Sequence, residues 1–234
     1  MEWDEIQRAM VVFAHPDDAE FGTAGTVAKM TGEGKTVVYV VTTDGSKGSA
    51  DPDLRSEQLT STRQQEQRDA GVVLGLEGIC FLNFPDGMLV PSIELRKAIT
   101  GAIRRYKPDV VIAQSPIRDL TASVFVQHPD HLASGEATFA AVYPCCRDRL
   151  TFPELLAEGL EPHIVRELWV SGTNQADHFI DISGTIERKI RALMAHASQT
   201  GEHQREMIPE RARKTGEPHG MEYAEGFKRI QLPG

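Results

Sequence analysis

The feature that most constrains this chain is an apolar run, Val11-Val12-Phe13-Ala14, which ends abruptly in His15-Pro16-Asp17-Asp18. A continuous apolar run of this kind is typical of a parallel strand that is buried on both faces. In open α/β sheets, ligands bind just beyond the carboxyl ends of such strands. The sequence therefore predicts a buried strand whose carboxyl end carries a polar site.

Segments rich in β-branched residues alternate with helical segments along the rest of the chain. Strands are predicted at residues 10–14, 36–42, 79–82, 110–113, 167–171 and 178–182. Helices are predicted at residues 55–75, 92–106, 128–141 and 184–198, and a glycine-containing turn leads into a further helix within residues 21–30. This alternation predicts an α/β fold, a Rossmann-like three-layer sandwich with a mostly parallel sheet and a metal site at the C-terminal ends of its strands.

Two regions have no clear pattern. Residues 144–163 contain several prolines and a glycine and are expected to be irregular, lining or covering the site. The last thirty-odd residues are polar, and only residues 223–230 are expected to pack back on the body of the fold. With 234 residues and no linker or repeat, residues 1–234 are expected to form a single domain.

The polar residues after the first strand have the composition of a metal site. His15 and Asp18 offer one nitrogen and one oxygen ligand, which suits zinc or another divalent transition metal. A second cluster, His128-Pro129-Asp130-His131, lies more than a hundred residues further along the chain. Three protein ligands with an open position for water are usual in catalytic zinc sites, so we predict His15, Asp18 and His131 as ligands.

A dinucleotide site is the competing interpretation, because it also follows a strand with a glycine-containing turn and a helix. The G-x-G-x-x-G spacing is missing, and acidic residues occupy the position of the phosphates, which argues against it.

Composition narrows the classes of partner. The formal net charge of −9 argues against a nucleic-acid partner. No run approaches the roughly 20 apolar residues of a membrane helix, and the acidic N-terminus does not resemble a signal peptide. Three cysteines, two of them adjacent, indicate a reduced chain. We therefore expect a cytoplasmic protein with no membrane partner, and we further expect a homo-oligomer.

The two clusters, 14–20 and 128–131, together resemble the paired motifs of the LmbE-like, or PIG-L, family of zinc-dependent N-deacetylases. Smaller matches to that family are Thr43–Gly48, Arg63 with Glu66, Asp86-Gly87, Pro108-Asp109 and His196–Gln199. The resemblance implies a hydrolase of linear amides that removes an acyl group, expected to be acetyl, from an N-acetylglucosamine-type sugar or conjugate. A small-molecule amino sugar is then the expected partner.

Two other functions remain open. One is an amidase that cleaves a larger glucosaminyl conjugate, such as a thiol-sugar adduct. The other is a non-catalytic, metal-dependent sugar-binding module, against which Asp17 and His128 argue because binding alone requires neither.

The chemistry of amide hydrolysis suggests roles for the remaining polar residues. A bound zinc polarises the carbonyl, and a nearby carboxylate takes a proton from water. Asp17 fits the role of base, His128 fits that of acid or oxyanion stabiliser, and Asp130 could orient His128 or hold it cationic. The resemblance implies the same metal ligands, base and acid, and it places Arg63 and Asp86 near the sugar. Ferrous iron or another divalent metal could replace zinc, since these ligands discriminate weakly.

Several assignments keep a structural alternative. Arg63 could instead form a surface salt bridge with Glu57 or Glu66, and Asp86 could belong to a plain Asp-Gly turn.

Glu20 and His196 also allow two interpretations. Glu20 is either a partner of the metal ligands or a charge at a helix N-terminus, and His196 is either structural or functional. Substrate choice is expected to depend on loops 46–56, 115–127 and 144–163.

Overall fold

In a computed structural model that describes residues 1–121 and 126–233, the chain forms a seven-stranded sheet with helices on both faces. The strands are β1 (Arg8–Phe13), β2 (Thr36–Thr43), β3 (Gly78–Phe84), β4 (Val110–Gln114), β5 (Glu167–Ser171), β6 (His178–Asp181) and β7 (Ala224–Gln231). The α-helices are α1 (Asp18–Gly22), α2 (Ala24–Gly32), α3 (Ser56–Leu74), α4 (Ile93–Tyr106), α5 (Pro129–Ala140), α6 (Pro153–Ala157), α7 (Ile186–Met194) and α8 (Glu202–Gly216).

The strand order creates a crevice at the end of β1. The sheet runs β3-β2-β1-β4-β5-β7-β6, and the first five strands of the chain are parallel. The chain proceeds outward from β1 to β3 and then crosses back to place β4 on the other side of β1. Such a reversal leaves a crevice at the carboxyl ends of the two central strands, where α/β proteins bind ligands. The predicted α/β fold with its mostly parallel sheet is confirmed.

The two faces of the sheet bury separate hydrophobic cores. Val11 and Tyr39 point to the core that contains residues of α2, α3, α7 and α8. Val12 and Val40 point to the opposite core, which contains residues of α4 and α5. Because successive side chains of a strand alternate between faces, this continuous apolar run is what a sheet covered on both sides requires.

The C-terminal region is more regular than the sequence indicates. The segment expected to pack on the body becomes β7, which pairs antiparallel with β5 and β6. It is preceded by α8, which the sequence did not predict. Only Ile208, Ala212 and Gly216 of this helix are buried, and Pro209 interrupts its pattern, so its apolar stripe is too narrow to detect.

Two smaller observations complete the comparison of elements. The segment 144–163, expected to be irregular, contains the short helix α6. Part of the predicted loop 115–127 lies outside the described residues. None of the helices in the described ranges has the length and apolar character needed to cross a membrane.

Candidate active site

The turn after β1 is held in an unusual conformation. Asp17 has a φ of 94°, in the left-handed region that few residues other than glycine adopt and that aspartate tolerates better than most. Helix α3 fixes this turn from behind: Gln67 Oε1 accepts the Asp17 N–H at 3.1 Å, and Arg63 Nη2 donates to the Pro16 carbonyl at 2.8 Å. Helix α1 begins directly afterwards at Asp18, so the two adjacent aspartates point in different directions.

The three side chains predicted as metal ligands converge at this crevice. Asp18 Oδ2 lies 3.2 Å from His15 Nδ1, and Asp18 Oδ1 lies 3.1 Å from His131 Nε2. The two imidazole nitrogens are 3.3 Å apart. Gln114, at the end of β4, donates to Asp18 Oδ2 and accepts the Ala14 N–H. Two nitrogens and a carboxylate at these separations form a donor set suited to a divalent transition metal.

Two other groups of side chains also lie close enough to hold a metal: His15 with His128 and His131, and His15 with Asp86 and Asp130. The second group uses His15 Nε2, which lies 3.0 Å from Asp86 Oδ1 and 3.1 Å from Asp130 Oδ2. A histidine that binds metal through one nitrogen commonly gives its other N–H to a carboxylate. Asp86 and Asp130 supply such carboxylates, so the geometry favours a metal on His15 Nδ1 with Asp18 and His131.

The charge of the site favours a cation. Burial lowers the pKa of His15, but hydrogen bonds to Asp130, Asp18 and Asp86 outweigh burial and raise that pKa to about 12. Burial raises the pKa of Asp18, yet the neighbouring His131 and His15 bring it well below its usual range. Three carboxylates around one imidazole carry more negative charge than the ring can neutralise. A divalent cation therefore fits this group of residues.

Asp17 has different surroundings from Asp18. Its carboxylate is buried and lies 3.3 Å from Arg63 Nη2. Burial and the negative charge of Asp18 raise the pKa of Asp17 to about 7, while Arg63 and His196 act in the opposite direction. A carboxylate that titrates near neutrality is well matched to accept a proton during a reaction.

Asp130 has closer partners than His128, the one that the sequence suggested. The Asp130 carboxylate bonds His15 and accepts the N–H groups of Gly87 and Leu89, whereas His128 Nδ1 lies 4.0 Å away. His128 Nδ1 instead accepts the backbone N–H of Asp130 at 3.2 Å, so the neutral ring carries its proton on Nε2. Burial and the charge of His15 lower the pKa of His128, although Asp130 opposes them. Asp130 thus contacts His15 directly and lies farther from His128, and whether it also holds His128 cationic stays a prediction.

Arg63 is buried, which does not fit the alternative of a surface salt bridge. Its side chain is buried, with Nη1 donating to the carbonyls of Gly45 and Lys47 in the loop after β2. Glu66, its suggested salt-bridge partner, accepts from Ser198 instead.

Asp86 is also buried, and it accepts the Lys47 N–H at 3.0 Å while holding His15. Arg63 and Asp86 therefore join the β2 loop to the metal motif. Contact of either residue with a sugar stays a prediction.

A buried polar network lies behind Asp17. His196 Nε2 is 3.2 Å from Glu20 Oε2, and neither side chain is exposed. Gln67 Nε2 donates to Glu20 Oε1 at 3.0 Å, so Gln67 connects this pair to the Asp17 backbone. Burial opposes the charge of His196, but the carboxylate of Glu20 and those of nearby residues raise its pKa. Glu20 is thus the partner of His196, which lies behind the site as part of its buried support.

Gln67 and Gln114 are site residues that the sequence analysis did not predict, although the position of each in the sequence could have indicated it. Gln67 follows Arg63 by four residues and lies on the same buried face of α3. Gln114 ends a predicted strand, where ligands of α/β proteins bind.

A cavity of about 340 Å³ opens beside two of the candidate metal ligands. Asp18, His131 and Arg211 of α8 all line it. Its other lining residues include Phe13, Phe21, Gln114, Ser115, Gln127 and Ser171. Arg211 could not be assigned to the site from sequence, because α8 itself was not predicted.

Comparisons with known proteins find similar sequences among sugar deacetylases. The family model described as PIG-L, GlcNAc-PI de-N-acetylase, matches residues 10–142. The chain is 31% identical over 230 residues to diacetylchitobiose deacetylase of Thermococcus kodakarensis, covering 97% of this chain and 84% of that protein. It is 29% identical over 206 residues to "Probable N-acetyl-alpha-D-glucosaminyl L-malate deacetylase 2" of Bacillus anthracis, covering 82% and 81%.

A solved structure of a sugar deacetylase is also similar to this chain. The chain matches N,N'-diacetylchitobiose deacetylase from Pyrococcus horikoshii with a TM-score of 0.90 and 29% identity, covering 98% of this chain and 85% of that one.

Proposed function

Because the chain belongs to the PIG-L family, we propose that it is a metal-dependent hydrolase that removes an acetyl group from an N-acetylglucosamine-type sugar. The observation that carries the proposal is the convergence of His15, Asp18 and His131 beside a separate carboxylate, Asp17. The named activities of the relatives support the choice of an amino sugar as substrate. Zinc is the proposed metal, with ferrous iron or another divalent metal as the alternative.

The proposed roles follow from the contacts of each side chain. The metal, held by His15, Asp18 and His131, supplies Lewis acidity toward the amide carbonyl and toward water. Asp17 accepts a proton from the attacking water and returns one to the departing amine. The Nε2–H of His128 donates a hydrogen bond to the developing oxyanion.

Supporting residues complete this assignment. Asp130 and Asp86 hold His15 through its Nε2, and this fixes which nitrogen faces the other ligands. Arg63 and Gln67 hold the strained turn at Asp17. Whether Arg63 and Asp86 also contact the sugar directly is part of the same proposal.

We place this activity in a single domain, residues 1–234, of a cytoplasmic homo-oligomer that acts on small molecules. The three cysteines of the described chain are free, which supports a reducing compartment. The acidic net charge supports a partner other than nucleic acid.

Acetate release from N,N'-diacetylchitobiose and from simple N-acetylglucosaminides tests the proposal. Release should stop after treatment with a chelator and return when zinc or ferrous iron is added. An enzyme that leaves these sugars intact but cleaves a thiol-sugar conjugate would support the amidase alternative. Metal-dependent sugar binding without any cleavage would support the binding module and contradict the proposal.

A further inference from the structure

Gln67 is a fully buried side chain that joins two elements of the site. It lies on α3, and its amide contacts both the turn after β1 and helix α1. Its Oε1 accepts the Asp17 N–H at 3.1 Å, and its Nε2 donates to Glu20 Oε1 at 3.0 Å. A backbone N–H only donates, so the amide oxygen must face Asp17 and the amide nitrogen must face an acceptor. Glu20 supplies that acceptor and thereby fixes the orientation of the Gln67 amide.

The Glu20 side chain is held in turn by His196. Both side chains are fully buried, and His196 Nε2 lies 3.2 Å from Glu20 Oε2. His196 follows α7, and Glu66 fixes the chain just beyond it by accepting the N–H and the hydroxyl group of Ser198. Because Glu66 and Gln67 are neighbours on α3, one helix holds both ends of this network. We refer to His196, Glu20 and Gln67 as the buried relay.

The relay ends at a strained backbone conformation. Asp17 has a φ of 94°, and such a conformation persists only where the surrounding structure determines it. The hydrogen bond from the Asp17 N–H to Gln67 is one restraint on this turn, and the bond from Arg63 to the Pro16 carbonyl is another. The direction of the Asp17 carboxylate therefore depends on Gln67, and through Gln67 on Glu20.

We propose that Gln67 and Glu20 are positioning residues for the base, Asp17. This rests on the proposed function and adds to it the residues that aim the carboxylate at the attacking water. Neither Gln67 nor Glu20 touches the substrate, since the relay acts through the Asp17 backbone. A misplacement of a reacting group by about 1 Å is enough to reduce a rate by about 100-fold.

The candidate metal ligands have supports outside the relay. Gln114 donates to Asp18, and the carboxylates of Asp86 and Asp130 hold His15. Loss of the relay should therefore reduce kcat and leave metal binding near normal, which separates its effect from that of the ligands.

The test measures kcat and KM with N,N'-diacetylchitobiose, and zinc affinity by competition with a chromogenic chelator. Gln67→Met keeps the length of the side chain but makes neither hydrogen bond, so kcat should fall on the order of 10- to 100-fold. KM and zinc affinity should stay near normal. Glu20→Met should cause a similar loss. Glu20→Gln should retain most of the rate, because its amide accepts from Gln67 and donates to His196.

A double variant separates positioning from general support of the fold. If Glu20 acts through Gln67, the double variant Glu20→Met with Gln67→Met should be no slower than Gln67→Met alone. Ile190→Val, in the core that α7 shares with α3, is the control, and it should lower stability without a change in kcat. If a Met variant does not fold, Gln67→Asn replaces it, because a shorter amide cannot reach both partners and should also lower kcat.

Three results would overturn this inference. They are a normal kcat in Gln67→Met, independent losses that multiply in the double variant, and a Glu20→Gln variant as slow as Glu20→Met. The last result would show that the charge of Glu20 matters and the orientation of the Gln67 amide does not. Loss of zinc in proportion to kcat would assign the relay to the metal site and would also exclude the inference. Absence of acetate release by the wild-type protein would instead contradict the proposed function.

Discussion

At the residue scale, Asp17 and Asp18 are neighbours with separate surroundings. Asp18 opens α1 and faces two histidines, whereas Asp17 is in a left-handed conformation and faces Arg63. The pKa of Asp18 is therefore lowered, whereas the pKa of Asp17 is raised. Separation of this kind allows one carboxylate to bind metal while the other exchanges protons.

Asp130 gives a prediction that separates its two possible roles. Because its carboxylate holds His15 Nε2, Asp130→Asn should weaken metal binding by about 10- to 100-fold. Metal affinity can be measured by competition with a chromogenic chelator. His128→Ala should leave that affinity near normal, because the favoured ligand set does not include His128. A normal metal affinity in Asp130→Asn, together with a shifted pH profile of activity, would indicate that Asp130 acts on His128 instead, by orienting it or holding it cationic.

At the element scale, α5 packs unusually close to the end of β4. A Cβ on Gly135 would lie 2.5 Å from the Gln114 carbonyl oxygen and 3.0 Å from Pro116 N. These are backbone atoms at the end of β4 and directly after it, so they cannot move independently of the strand that carries Gln114 to the site. The absence of a side chain at Gly135 therefore allows α5 to bring Asp130 and His131 into the crevice.

Gly135→Ala tests this packing. It should reduce the free energy of unfolding by about 1–3 kcal/mol and also weaken metal binding. Gly101→Ala is a matched control in α4, where the new Cβ would meet two flexible side-chain atoms, Leu155 Cδ2 at 3.4 Å and Leu160 Cδ1 at 4.0 Å. That control should be neutral or stabilising by up to about 1 kcal/mol, as expected for alanine in a helix. Equal behaviour of the two variants in denaturant titrations would contradict the account of α5.

A second prediction at this scale concerns the junction of β5 and β7. Glu167 accepts two hydrogen bonds from Arg229 and one from Trp169. Burial opposes the charge of Glu167, but Arg229, the N-terminal amino group of Met1 and Trp169 together outweigh it and lower the pKa from 4.5 to about 2. A lowered carboxylate pKa adds stability that is fully present above pH 4.5 and is lost as the pH falls toward 2.

Glu167→Gln should therefore cost about 2 kcal/mol at neutral pH and progressively less below pH 4.5. Urea titrations at several pH values measure this difference. Glu161→Gln, which breaks an exposed pair with Arg149, should cost less than about 1 kcal/mol. A cost for Glu167→Gln that stays constant down to acidic pH would show that the charge of Glu167 is not the cause.

At the scale of the whole molecule, local patterns predicted most of the sheet and the positions of both motifs. The run before His15 and the β-branched segment 36–42 each carry their signal within a few residues. The apolar stripe of α8 is too narrow to be recognised in the sequence, because Pro209 and many charged residues lie around it. The partner of Asp130 could not be predicted either, since His15 is more than a hundred residues away and only the folded sheet brings the two together.

The central claim is that Asp18 holds a metal while the adjacent Asp17 carries the proton. The most direct test measures bound metal and the rate of acetate release from N,N'-diacetylchitobiose in Asp17→Asn and Asp18→Asn. Asparagine tolerates the left-handed conformation at position 17, so the first variant keeps the turn. Asp17→Asn should keep its metal and lose about 100-fold or more in kcat, whereas Asp18→Asn should lose metal and activity together. Loss of metal from Asp17→Asn with retention in Asp18→Asn would contradict the account.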